Sequence, residues 1–268
     1  PANFSLDELI RHFIAQPIAR ASYDLDMPRL EPDFFFQQEF YTFLYSDNPR
    51  FDGIIPNEKA WKTTDYELAY NKYKERFANA ADFEFFFVGN IDDKVIEEYA
   101  AKYIASLPSN DKKEKATDLG YRLRKGEHKK IVNKGTEPKS NVTIMYYGDA
   151  QYSAKEALAM SALGEILTIK LVEELRENES GVYGVNARGS MSKLPYGSYN
   201  FNISFPCGPD NADKLTESAL RELQKIIEKG PEAKDLAKYK EGELLDYKKE
   251  MKENRPWLAG LRKAYVNG

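Results

Sequence analysis

Leu6, Leu9, Ile10 and Phe13 fall on one face of a helix in the stretch SLDELIRHFIAQPIAR. Ser5 and Glu8 have the spacing of a capping box at its start. The same period predicts a second helix over about 32–45, with Phe36, Phe40, Phe43 and Leu44 on its buried side. SDNPRFDGIIPN follows as a loop rich in turn residues. A third helix is expected from Thr64, with Glu67 three residues on, to about Phe77.

The pattern then changes to continuous apolar runs that end in glycine and a polar residue. FEFFFVGN (83–90) predicts a strand, followed by a helix over DDKVIEEYAAKYIAS. NVTIMYYGD (141–149) predicts a second strand and leads into the long helix of SAKEALAMSALGEILTIKLVEEL. YNFNISFPCGPDN (199–211) repeats the theme ahead of ADKLTESALRELQKIIEKG. Strands this apolar are buried on both faces or covered by helices, so the units argue for a sheet with helices packed against it. Their spacing is too irregular for a solenoid. A long hairpin is expected from about 182–192 and 196–206. SLPSNDKKEKATDLGYRLRKGEHKK, charged and poor in apolar residues, reads as a linker or a crossing between two structural halves. Gly230-Pro231 closes one helix and opens the next, which runs on until Pro256 breaks it.

Composition narrows the function classes. Of 268 residues 42% are hydrophobic, enough for a core, and the net charge of −4 argues against nucleic acid as the main partner. One cysteine, Cys207, excludes an internal disulfide framework and a cysteine-based zinc cluster. No run approaches the roughly 18 apolar residues that span a bilayer. The chain begins at Pro1 without an initiator methionine and stops just after a helical pattern. It therefore reads as part of something longer, with any targeting segment upstream.

Self-sufficient catalytic chemistry is missing from the sequence. A hydrolytic zinc site needs three protein ligands, commonly with two histidines a helical turn apart. The two histidines here, His12 and His128, are far apart, and neither lies in His-x-x-Glu-His or His-Glu-x-x-His. His12 reads as a surface or boundary residue and His128 as solvated within a lysine-rich run. No Gly-x-Ser-x-Gly elbow is present. Cys207 sits between a strand and a helix, a setting that can activate a thiol, but a plain loop cysteine is the simpler reading. Gly181, Gly184 and Gly189 match no phosphate-binding loop and read as hairpin glycines.

One corner, LRENESGVYGV (175–185), carries candidate chemistry. Arg176 in a last helical turn complements the helix dipole, worth about 0.3–1 kcal/mol. Tyr183 in strand-like sequence is ordinarily a half-buried strand residue. Gly181 allows a sharp reversal between them, bringing both to one rim. There a guanidinium could hold backbone carbonyls of an extended peptide. A neutral tyrosine, with its ordinary pKa near 10, could donate to a carbonyl or to the oxyanion that develops from it.

LRENESGVYGV resembles the Leu-Arg-Glu-x-x-Gly-x-x-Tyr-type segment of the pitrilysin/insulinase (inverzincin) zinc metalloproteases. ERFANAADFEFFFVGNID and YIASLP resemble that family's recurring strand–helix unit. The resemblance covers about residues 34–245. It implies an α+β fold: mixed, largely antiparallel sheets with helices mainly on one face, built as repeated α/β halves. It implies that 1–118 is the second half of one repeat and 119–268 the first half of the next. It further implies a parent protease whose zinc is bound outside this chain, with Arg176 binding the peptide substrate and Tyr183 serving as substrate-binding residue and catalytic donor. Because the metal motif is absent, the chain is expected to be inactive alone and to need the zinc-bearing half or a homologous subunit. The alternative is a non-catalytic peptide-binding or assembly subunit; a third reading is an unrelated α+β small-molecule domain with a deep pocket. Open sheet edges could also let the fragment pair with itself. A periplasmic or envelope location follows from the kind of bacterial relative it resembles.

Overall fold

A computed structural model of the chain describes residues 32–45, 48–51, 53–54, 63–110 and 112–268. The expected helix over SLDELIRHFIAQPIAR, and His12 with it, lies outside the described residues. The chain divides into two compact units, Pro1–Glu84 with Asp92–Thr136, and Phe85–Ile91 with Glu137–Gly268.

In the first unit, α1 (Pro32–Leu44) buries Leu44, and Phe36 and Phe40 stack one turn apart at 6.0 Å. The backbone N–H of Arg124 donates to the carbonyl of Leu44 at 2.7 Å, tying the charged stretch back to this helix. α2 (Tyr66–Phe77) begins two residues after the expected start at Thr64. Asp65 rather than Thr64 is its cap, the side chain accepting from the Leu68 N–H at 2.9 Å. α3 (Asp93–Tyr99) is capped by Asp92 and continues through a wider turn over Ala100–Ile104, where Ala105 N–H reaches the Ala100 carbonyl.

FEFFFVGN departs from expectation, because the described sheet does not include it. The run takes neither helix nor strand form and leaves Glu84, Phe85 and Phe87 exposed. Aromatic content supplies propensity, but a strand is made by a ladder with a neighbour, and the described ladders join other segments.

The second unit holds a three-stranded antiparallel sheet in the order β1-β3-β2, formed by β1 (Ser140–Asp149), β2 (Asn186–Ser192) and β3 (Ser198–Cys207). β2 and β3 form the expected hairpin, with pairing that starts at Asn186 apart from an isolated bridge between Val182 and Cys207. Along β3, Phe201, Ile203, Phe205 and Cys207 are buried while alternate residues are only half-buried. One face therefore carries the core and is covered by helices, the second of the two arrangements that the apolar runs allowed. Against that face pack Leu167 and Leu171 of α4 (Ala154–Leu171), and Leu215, Ala219 and Leu223 of α5 (Ala212–Lys229). Their spacing of three or four residues makes each helix a continuous apolar stripe.

The local reasons for these helices are plain. Ser153 caps α4 by accepting from Glu156 N–H at 3.1 Å, and Gly230, at φ 74°, closes α5. α4 crosses β2 closely enough that a Cβ on Gly189 would lie 2.3 Å from the Met160 carbonyl oxygen. Gly189 is thus a close-approach glycine, where the sequence suggested hairpin geometry. Beside it the Thr168 hydroxyl accepts from Ala187 N–H at 2.8 Å, fastening helix to strand.

α6 (Ala233–Glu250) is held to α4 by a cation. Lys170 lies 2.7 Å from Glu232 and 3.2 Å from the buried carboxylate of Asp235. Burial works against the ammonium charge, but the bonds to Glu232 and Asp235 outweigh it and hold its pKa above the ordinary lysine range. Pro256 does not terminate the tail. α6 ends at Glu250, and Pro256 falls in the first turn of α7 (Asn254–Asn267), where no intrahelical N–H is needed.

Candidate functional site

The corner between α4 and β2 is built from a helix end that loosens, a tight reversal and an alternating entry into the sheet. α4 continues past Leu171 as a wider turn over Val172–Asn178, with Leu175 fully buried against the core. Glu179 N–H donates to the Glu174 carbonyl at 3.0 Å, and Gly181 N–H donates to the Leu175 carbonyl at 2.9 Å. These bonds satisfy carbonyls that a helix terminus otherwise leaves to water. Ser180 takes φ 49°, in the left-handed region, which costs a non-glycine residue about 1–2 kcal/mol. A Cβ on Gly181 would lie 2.6 Å from Leu215 Cδ2, so this glycine serves close packing against α5.

From there the chain alternates. Val182 and Val185 are buried, and Tyr183 between them is 95% exposed. The expectation of a half-buried strand tyrosine is therefore corrected: the bridge at Val182 turns that side chain inward and its neighbour outward. Arg176 is also on the surface, 56% exposed, its Nε 3.5 Å from Glu177 Oε1. An exposed pair of that length adds little to stability. Two large side chains capable of hydrogen bonding thus stand in water on a backbone packed to the core through Leu175, Gly181 and Val182.

Below them sits a charged anchor that the sequence did not reveal. The Glu179 side chain is only 12% exposed and lies 2.8 Å from the ammonium of Lys214. Ser218, buried on α5, faces it too, and Arg221 donates to the Ser218 hydroxyl at 2.9 Å. The bond to Lys214 first, and then the Ser218 hydroxyl, hold the Glu179 carboxyl below its ordinary 4.5 against the opposing effect of burial. The sign follows directly. A depressed folded value stabilises the fold above pH 4.5, and the contribution is lost as pH falls through the folded value.

The described residues do not fit a zinc ion. Among the described residues no group of three or more histidine, cysteine or acidic side chains could hold a metal. His128 is exposed, its Nε2 2.7 Å from the Lys125 carbonyl and its ring edge-on to Phe43. Cys207 is buried at the end of β3, not in a loop, and burial pushes its thiol upward, away from the nucleophilic thiolate. Among the described residues no helix is long and apolar enough to cross a membrane.

Comparison with known proteins now places the chain. A family profile described as the peptidase M16 inactive domain matches residues 69–243. The chain is 27% identical over 187 residues to the probable zinc protease PqqL of Haemophilus influenzae, covering 68% of this chain and 19% of that protein. It is 25% identical over 210 residues to the probable zinc protease PqqL of Escherichia coli, covering 77% and 22% respectively. The crystal structure of the periplasmic protease PqqL from Escherichia coli superimposes with a TM-score of 0.75 at 20% identity, over 96% of this chain and 28% of that one. The chain thus spans about a fifth of the length of the curated relatives it matches. With a family match covering well over half its length, the chain belongs to the M16 peptidases and carries that family's inactive domain.

Proposed function

We propose that this chain is the non-metal, substrate-clamping C-terminal part of a zinc metalloendopeptidase that hydrolyses peptides. In this reading 1–118 and 119–268 are halves of successive repeat domains, and zinc belongs to a homologous half outside the chain. The periplasm, where the Escherichia coli relative works by its description, is the proposed compartment.

One observation carries the reading: Tyr183 projects into water from between two buried valines on a tightly packed corner, with Arg176 on the same segment. A phenol held this way adds little to packing and is available as a donor. Arg176 would hold backbone carbonyls of an extended peptide through charge-assisted hydrogen bonds. Tyr183 would donate its O–H to the carbonyl under attack. That bond strengthens as the oxygen takes on negative charge.

The test is direct binding of reduced, carboxymethylated α-lactalbumin, a permanently unfolded polypeptide, to the full chain. Arg176→Ala is expected to weaken the complex about tenfold or more, the size of one charge-assisted interaction. Equal affinity of the two proteins would remove Arg176 from the clamp.

A further inference from the structure

The backbone between Leu175 and Val182 has few inward contacts. Arg176, Glu177, Asn178 and Ser180 are all exposed, leaving Glu179 and Gly181 as the residues that turn toward α5. Gly181 contributes contact without a side chain, and Ser180 beside it holds a strained φ. The Glu179 side chain therefore adds the one inward-turned side-chain anchor of this stretch to the backbone bonds that Glu179 and Gly181 donate to Glu174 and Leu175.

The anchor for that side chain comes from one face of α5. Lys214 meets the Glu179 carboxylate at 2.8 Å from the exposed side, and Leu215, next in sequence, meets Gly181. Ser218, one turn along, accepts from Arg221 at 2.9 Å. Lys214, Leu215 and Ser218 sit on neighbouring turns of α5, so one helix face receives the whole corner. A largely buried carboxylate paired with a cation resists displacement more strongly than an apolar contact, which has no preferred direction.

We propose that Glu179 is a positioning residue: paired with Lys214 of α5, it fixes the backbone between Arg176 and Tyr183 and thereby the separation of those two side chains. The proposal rests on reading that pair as the peptide clamp. Glu179 itself need not touch the peptide. Because two contact points must meet one extended chain together, a shift of about 1 Å in their spacing costs much of the affinity.

The experiment measures affinity for reduced, carboxymethylated α-lactalbumin together with backbone amide NMR spectra of the full chain. Glu179→Ala is expected to move amide signals of 176–185 while those of β1 and β3 stay in place, and to weaken binding about tenfold. Glu179→Gln keeps an acceptor for Lys214 and is expected to recover affinity to within about threefold. Should Glu179→Ala fail to fold, Lys214→Ala removes one donor from the solvent side and is expected to shift the same signals and weaken binding. Affinity within about twofold of wild type in the variant that folds, with Arg176→Ala still impaired, would overturn the positioning role and leave the clamp standing. Unchanged affinity in Arg176→Ala as well would overturn both.

Discussion

Tyr183→Phe lowers the turnover of a protease containing this chain about 10²–10³-fold, with KM changed by no more than a few-fold. That is the size of effect seen when one preorganised oxyanion donor is removed. The asymmetry between kcat and KM follows from chemistry. A neutral carbonyl accepts weakly, whereas the oxyanion accepts strongly, so the lost bond matters most in the transition state. The substitution removes one oxygen from a side chain that is 95% exposed and barely packed, so stability should stay within about 0.5 kcal/mol. Steady-state kinetics on an unfolded polypeptide, with a urea melt alongside, separates the two effects. Equal losses in turnover and stability would mean that Tyr183 is structural. Unchanged turnover would remove the donor role.

The second large effect concerns the platform. Phe205→Ala should destabilise the second unit by about 3–5 kcal/mol, because the ring is 2% exposed within the face that β3 turns toward α4 and α5. Its neighbours cannot close the gap easily. Val142 sits opposite it on β1, and strand pairing fixes both backbones at ladder spacing. A fall in the urea midpoint by about 1 M or more, with little change in slope, is the expected observation. A loss below about 1 kcal/mol would mean that this sheet face is not the core.

How far these features could be read from sequence depends on whether their causes are local. β1 and α5 fall nearly where their patterns put them, because the apolar period and a glycine near the end (Gly148 in β1, Gly230 after α5) are local to each element. The helix over DDKVIEEYAAKYIAS also begins at its local signal, the Asp92 cap. The strand expected over FEFFFVGN, by contrast, depends on a partner that composition cannot name. Pro256 was misread as a stop because a proline in a first turn looks the same as a breaker until the next helix is seen. Gly189 gives no sign in sequence that Met160 lies against it. Glu179 is the clearest case. A glutamate in a polar turn reads as solvated, and its burial is decided by Lys214 and Ser218 more than thirty residues later. Arg176 and Tyr183 stand out in the sequence as a candidate pair through the family resemblance. The exposure of Tyr183 was not legible there, since burial of a strand residue depends on which face the Val182 bridge turns inward.

The most direct measurement of the central claim is a reconstitution. The purified chain is added to a separately purified zinc-bearing homologous half, and cleavage of reduced, carboxymethylated α-lactalbumin is followed over time. The account predicts little cleavage by either protein alone, efficient cleavage by the mixture, and loss of that gain when the chain carries Tyr183→Phe. Cleavage by the zinc-bearing half that is equally fast with or without the chain would contradict it.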